Sequence, residues 1–595
     1  MPSTRSVVRN ARLVLQSVAQ HLVDDPALLA VQVSRRLPFR TRVRAGEVLL
    51  AVAGRLPNGG GAAALGAFMA GDDAAARSQI ARSTGSRLGG EVAILLQRSD
   101  LLSTSSSPVT LARAAWAAGE LSRAVDILQQ AGRGESRYAR RIRSELRLLG
   151  RGHRLSISEK GERPASPAPD EQLRVLHVLT NSLPHTQSGY SLRTHRTLTA
   201  LAQRGIGSAA LTRTGYPVMI GVPLAADEDE VDGIRYVRTL PSRLPQTQEE
   251  RLEAEVARAL ELVEEFRPHV IHATTNYYNA LVARAVSEAT GIPWILEVRG
   301  LMEQTWTASL RTEEQRAAAR GSEKVRLIAA RESELAADAA AVVTLSRTMR
   351  DVLVERGVPE RAITVMPNGV EDGLLERRLS TVEARAELGL DREDAFVVGA
   401  VSALVEYEGL DVLLRAVARL LASETTPAEL RDRLHVVIAG DGTAAPGLRV
   451  LAESLGIGER VHMPGRVPRE TAPVWVQALD VVAVPRLDVE VARTVTPQKP
   501  VEAMALGRPV ILSDLPALVE TVTGGDGAPC AITHPAGSDE ALADAIISLA
   551  GDPRRAASLV ERGRDIAAGR TWTALVERYI GLYTAVRTEQ EGPRG

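Results

Sequence analysis

Residues 173–204 read LRVLHVLTNSLPHTQSGYSLRTHRTLTALAQR. A short apolar run, Leu173–Thr180, enters a loop that holds Gly189, and a helical apolar pattern follows over Leu192–Arg204. Strand, glycine turn and helix in that order open a crossover unit. Further apolar runs stand at Val270–Ala273, Trp294–Val298, Ala341–Leu345 and Ile363–Met366, separated by helical stretches such as Glu249–Phe266 and Asn279–Thr290. The alternation restarts beyond a helix near Thr381–Leu388. Phe396–Val401, His435–Ala439, Val461–Met463, Val481–Val484, Pro509–Leu512 and Ala531–Thr533 read as strands there. Leu410–Ala422, Gly447–Leu455 and Pro500–Ala505 read as helices between them. Strands alternating with helices imply parallel sheets. The expected fold class is α/β: two Rossmann-like doubly wound domains facing a cleft, with ligand bound at the strand ends.

Outward from this core, residues 1–150 carry few strand signals and read as an all-helical accessory domain. Val7, Ala11, Val14, Val18 and Leu22 form an amphipathic stripe with Arg5, Arg9 and Arg12 largely off it. Such a helix packs on its neighbour or lies on an anionic membrane. Leu65–Arg77 and Arg113–Val125 align, Phe68 on Trp116 and Gly71 on Gly119, each reading as helix, glycine turn and helix in the manner of tetratricopeptide arrays. Residues 151–172 are polar, with three prolines, and read as a linker. The expected boundaries are therefore 1–150, linker 151–172, a first Rossmann-like domain at 173–385, a second at 386–572, and a last helix and tail at 573–595. Removal of 1–150 is expected to leave a folded remainder.

Composition narrows the function. With 595 residues, 45% apolar and 24% charged, the chain has material for several cores. A net charge of -1 argues against a surface built for nucleic acid. The single cysteine, Cys530, excludes an internal disulfide and any multi-cysteine metal site. No apolar run reaches the ~18–20 residues of a membrane span, and Arg9 and Arg12 break what would be a signal-peptide core. A cytoplasmic protein is expected, with residues 1–150 the part that would dock a protein partner or touch the inner face of the membrane. Only Lys160, Lys324 and Lys499 are lysines among 72 basic residues. A lysine kept in so arginine-rich a chain hints at a place for a compact point charge.

Two glycine turns follow strands in matching halves: Ser188-Gly189-Tyr190 and Ala439-Gly440-Asp441-Gly442. Glycine lets backbone N–H groups approach a phosphate, and neither turn is a dinucleotide fingerprint. The densest segment is RTVTPQKPVEAMALGRPVI, Arg493 to Ile511. Lys499 and Glu502 lie three apart at a helix start, where the carboxylate suits a ribose diol and the ammonium a diphosphate. The alternative for Glu502 is a helix cap.

From Leu173 to about Tyr583 the chain resembles the retaining glycosyltransferases of family 4, which have the GT-B fold. The resemblance rests on an ordered set of pieces. They are Ser188-Gly189-Tyr190, Thr344-Leu345-Ser346, Val365-Met366-Pro367-Asn368-Gly369-Val370, Ala439-Gly440-Asp441-Gly442, Val461-His462-Met463-Pro464-Gly465 and the run from Glu502 to Ile511. Trp572, Tyr579 and Tyr583 resemble the last helix, which in this fold crosses back to the first domain. Glu406–Asp411, Glu297–Gly300 and Thr496-Pro497-Gln498-Lys499 look like a bacterial polysaccharide-associated branch.

The resemblance implies transfer of a sugar, with retained configuration, from a UDP- or GDP-type donor to a glycan or glycolipid hydroxyl, without metal or cofactor. Glu502, Gly440, Asp441, Gly442, Thr496, Pro497 and Gly189 are the donor-binding candidates it supplies. Three departures matter. The first of the family's two spaced glutamates is Thr494 here, the usual diphosphate-binding Arg and Lys align with Ser402 and Glu408, and a usual histidine aligns with Arg299. Departure of a diphosphate still needs positive charge, so Lys499, Arg299 and Arg493 are the catalytic candidates, with Arg193 a weaker one. Glu297 and Glu303 flank Arg299. A non-catalytic assembly protein with a degenerate transferase fold is the competing expectation. A phosphorylase or epimerase of the same fold is a third, and no lysine for a pyridoxal cofactor is evident.

Overall fold

The computed structural model describes residues 4–24, 39–53, 55, 59–83, 85–157, 171–390 and 394–591. The expected linker lies mostly in 158–170, outside the described residues. The first eight strands make one sheet: β1 (Arg174–Leu179), β2 (Gly207–Thr212), β3 (Glu228–Val231), β4 (Ile234–Arg238), β5 (Val270–Thr274), β6 (Trp294–Val298), β7 (Ala341–Thr344) and β8 (Ile363–Val365). Their order is β3-β4-β2-β1-β5-β6-β7-β8. β5, β6 and β7 are buried throughout, as strands covered on both faces must be, which is why they appear as unbroken apolar runs.

The second sheet holds β9 (Phe396–Val401), β10 (Leu434–Ala439), β11 (Val461–Gly465), β12 (Val481–Val484), β13 (Val510–Ser513) and β14 (Ile532–His534). Its order is β11-β10-β9-β12-β13-β14, and every pair is parallel. Counted within the domain this is 3-2-1-4-5-6, the Rossmann order, whose direction of winding reverses between β9 and β12. The helix Leu410–Ala422 spans the residues expected of it and buries Leu413, Leu414, Ala416 and Val417.

Two compact units emerge. One comprises Met1–Thr186, Ala209–Trp294 and Leu301–Ala339; the other comprises Gln187–Ser208, Ile295–Gly300 and Ala340–Gly595. In the first, the helical region does form the two expected hairpins, Gly60–Ala70 with Asp73–Arg82 and Pro108–Ala117 with Leu121–Gln130. Gly71 and Gly119 each turn at φ +85°. The hairpins differ in what they touch. A Cβ on Gly71 would meet nothing, whereas one on Gly119 would lie 2.8 Å from Trp306. Lys324 Nζ stands between the Trp116 and Trp306 rings, 4.3 and 4.7 Å from their centroids, and Trp116 Nε1 donates to Glu145. Glu323 accepts from the Ser122 backbone, 2.8 Å away.

These contacts join the second hairpin to the rest of the first unit. Removal of residues 1–150 would take Trp116, one of its two aromatic partners, from a lysine that is 7% exposed. The first helix, Thr4–Asp24, keeps Val14 of its expected stripe against a small apolar cluster with Leu13, Val218 and Leu244. It buries Ser6, Asn10 and Leu13, with Asn10 Nδ2 donating to the carbonyls of Pro223 and Ala225. Val7 and Val14 are half-buried and Ala11 is exposed, while the side chains of Val18 and Leu22 lie outside the described residues. Buried polar groups with backbone partners draw the packed face away from the apolar positions. Among the described residues, no helix is long and apolar enough to cross a membrane.

Candidate functional site

Parallel sheets present ligand sites beyond the carboxyl ends of their strands, at the point where winding reverses. In the second sheet that point lies between β9 and β12. Arg486 follows β12 by two residues, and Glu408 closes a short 3-10 turn (Glu406–Glu408) after β9. The two meet there: Arg486 Nη2 lies 3.0 Å from Glu408 Oε1. Lys499, first residue of the helix Lys499–Ala505, brings Nζ to 2.8 Å from Glu408 Oε2. One carboxylate thus bridges two cations. Burial alone would push the Glu408 carboxyl up; Arg486 and Lys499 outweigh it and hold it at about 2. Burial lowers the Lys499 ammonium, opposed chiefly by Glu408. Lys499 retains 23% exposure at its side chain, against 7% and 8% for its partners.

Arg486 is fixed on further sides. Its Nη1 donates to the Val495 carbonyl at 3.0 Å and its guanidinium lies 5.8 Å from the Tyr407 ring centroid. One turn along from Lys499, Glu502 is 30% exposed and pairs with Arg196 at 3.3 Å. Arg196 also holds Glu371 at 2.8 Å, to which Arg469 adds a bond of 2.9 Å. Burial would raise the Glu371 carboxyl, and Arg196 and Arg469 bring it below the usual range. Glu502 therefore reaches solvent with one oxygen held by a guanidinium, and is not a helix cap: Gln498 precedes the helix without any side-chain capping bond.

The remaining candidates divide. Gly440 and Gly442 are glycines because the chain passes against backbone: added Cβ atoms would lie 1.8 Å from the Ser402 carbonyl oxygen and 2.1 Å from that of Leu404. The Gly440 N–H is donated to the Gly465 carbonyl and the Gly442 N–H to Asp441 Oδ1. Packing, rather than an open row of N–H groups, thus accounts for the two glycines, while Asp441 is exposed. Thr496 and Pro497 are buried, and the Thr496 carbonyl accepts from Asn368 Nδ2 at 3.0 Å. Gly189 is exposed at the start of the helix Gly189–Gln203, with open space where a Cβ would stand.

Arg299 belongs to a second cluster, past the end of β6. Glu297, fully buried, accepts from Arg299 Nη2 at 2.8 Å and from Arg193 Nε at 2.9 Å. Arg299 Nη1 donates to the Tyr190 carbonyl and Thr194 Oγ1. Arg193, which alternatively reads as a solvated helix residue, is 2% exposed and donates to the Met366 and Pro367 carbonyls and to Tyr579 OH. Tyr579 OH in turn donates to Glu297, and burial pushes its pKa up to about 12. Arg493 stands elsewhere: its side chain is 57% exposed and paired with Asp488. Sequence reasoning missed Arg486, whose signal was a base just past a strand at the reversal point. It also left Glu408 as a departure, not a partner. Among the described residues no three His, Cys, Asp or Glu side chains gather as a metal site needs.

A Rossmann-ordered second sheet, a largely parallel first sheet and a last helix, Trp572–Glu591, packed on Gly189–Gln203 within the same unit are the GT-B architecture. Solved structures share it. Sucrose-phosphate synthase from Thermosynechococcus elongatus is 19% identical, with a TM-score of 0.55, over 70% of this chain and 100% of that one. HepE from Anabaena, solved with UDP and glucose, is 17% identical, with a TM-score of 0.52 over the same shares. Residues 188–369 match the glycosyl transferase 4-like domain, and residues 383–566 match glycosyl transferases group 1. The chain belongs to this glycosyltransferase family. Among curated relatives, the D-inositol 3-phosphate glycosyltransferase of Stackebrandtia nassauensis is 32% identical over 272 residues, 44% of this chain. The match spans 58% of that relative's length.

Proposed function

We propose that the protein transfers a sugar from a nucleoside diphosphate sugar of UDP or GDP type to a hydroxyl of a growing polysaccharide or glycolipid, with retention at the anomeric carbon. The observation that carries this reading is the Lys499–Glu408–Arg486 cluster beyond β9 and β12, whose Lys499 stands on the same short helix as Glu502. In the reaction the bond from the anomeric carbon to the diphosphate oxygen breaks as a bond to the acceptor oxygen forms on the same face. The acceptor proton passes to the departing diphosphate. Negative charge grows on the leaving group, and Lys499, backed by Arg486, meets it, so the proposal uses no metal and no resident cofactor. Glu502 accepts from the ribose diol. Arg299, held by Glu297, the Tyr190 carbonyl and Thr194, is a structural tie, and Arg493 takes no part.

The competing reading, a non-catalytic scaffold, draws on Glu408, which neutralises a cation the chemistry needs. Heat-stability measurements across UDP and GDP sugars, followed by donor hydrolysis, separate the two. A stabilising donor that is also slowly hydrolysed supports the enzyme, and binding without turnover under any acceptor supports the scaffold. Glu502→Ala is expected to weaken nucleotide binding about 10–100-fold, the loss of ~1.5–3 kcal/mol for a charged hydrogen bond. An unchanged affinity in the folded variant would remove the ribose assignment.

A further inference from the structure

We infer that Lys499 is an exchangeable counter-ion, held by Glu408 in the ligand-free protein and passed to the donor's diphosphate on binding. The inference rests on the reading above, that a nucleoside diphosphate occupies this end of the second sheet. Three features of the cluster carry it.

The charges do not balance. Two cations share one carboxylate, so releasing Lys499 leaves Glu408 still paired with Arg486 at 3.0 Å. No carboxylate is orphaned in the interior, which is the event that makes breaking a buried ion pair costly. Arg486 suits the permanent role, since its other bonds go to the Val495 carbonyl and its own carbonyl accepts from Ser513 Oγ.

Access is unequal. Lys499 has the most exposed side chain of the three, at 23%, against 7% for Glu408 and 8% for Arg486. The ammonium is a point charge on a flexible four-carbon stem and can turn from one acceptor to another without a fixed fork geometry.

The exchange is favourable in sign. A diphosphate carries more negative charge than a carboxylate and offers more acceptor oxygens, so the same ammonium gains on transfer. The acid at position 408 is then a place-holder that keeps a needed lysine charged and ordered while the site is empty. This also accounts for an acidic residue where the family resemblance leads one to expect a basic one.

The scarcity of lysine makes the test direct. With three lysines in the chain, labelled side-chain ammonium signals are few, and Lys499→Arg identifies the one concerned. Saturating UDP or GDP is expected to move the Lys499 signal, whereas uridine or guanosine leaves it in place. In Glu408→Gln the signal of the empty protein should move away from its wild-type position, and diphosphate affinity should rise about tenfold as the competing charged bond is lost. Should Glu408→Gln fail to fold, the wild-type titration decides alone. A Lys499 signal that stays put while UDP or GDP binds overturns the exchange and leaves the proposed donor intact. Failure of both nucleotides to bind overturns the exchange and the donor reading together.

Discussion

Two clusters in the second compact unit share one formula, a glutamate between two cations, and differ in closure. Around Glu297, Arg193 and Arg299 are each 2% exposed, and the arginines' other bonds go to backbone carbonyls, Thr194, Asn368 and Tyr579. Around Glu408, Lys499 keeps an open side. The buried cations of the first cluster are structural ties; Lys499, whose side chain is the most exposed of the six at 23%, is the one a ligand reaches under the proposed function. The same chemistry, at the ends of strands in both cases, therefore serves architecture in one place and recognition in the other.

The largest effect expected from this contrast is on stability. Glu297→Ala leaves two buried guanidiniums without their carboxylate and should cost ~3–5 kcal/mol, read as a lower urea midpoint or as failure to fold. A variant of wild-type stability would show that the closed cluster is no tie. Lys499→Ala should cost less stability than Glu297→Ala, since Glu408 keeps Arg486, and should lower kcat about 100–1,000-fold, or ~2.7–4 kcal/mol, because the leaving-group charge grows toward the transition state. A full-rate Lys499→Ala enzyme would move the chemistry to another cation.

Acid should separate the clusters further. Glu408 is held at about 2 against 4.5 for an ordinary glutamate. A depressed carboxyl stabilises the fold above its unfolded value and loses that contribution as pH falls from ~4.5 toward 2, on the order of 3 kcal/mol in all. Unfolding measured between pH 6 and 3 should therefore be less pH-dependent in Glu408→Gln than in the wild type; parallel curves would contradict the strong pairing. The smallest effect is expected at Arg493. Its pair with Asp488 is exposed on both sides, so Arg493→Ala should change stability by ~0–1 kcal/mol and kcat/KM by no more than about twofold. A large fall in rate would return Arg493 to the reaction.

How the chain was legible follows from what each signal measures. The strands β5, β6, β7, β9, β10 and β12 were readable because buried parallel strands are unbroken apolar runs. β3 was not, since Glu228–Val231 is acidic and half exposed at the edge of its sheet, and an edge strand has only one covered neighbour. Its turn, Asp232-Gly233, with both residues at positive φ, was a hairpin signal left unused. Glu297 and Arg299, two apart at a strand end, were already placed on one face by the pleat, whereas nothing local told of Arg193 arriving from 104 residues away.

The amino-acid sequence by itself determined the alternation of strands and helices, the restart that makes two sheets, the glycine turns and the presence of Lys499 and Glu502 on one short helix. These are local properties, set by apolar period and backbone sterics within a few residues. The tertiary structure alone decided that Glu408, 91 residues before Lys499, is its partner, that Arg299 is locked while Lys499 is open, and that the helical region is seated on Lys324. Each depends on which side chains the fold brings within hydrogen-bond distance and how much water it leaves there, and neither quantity is written in sequence spacing.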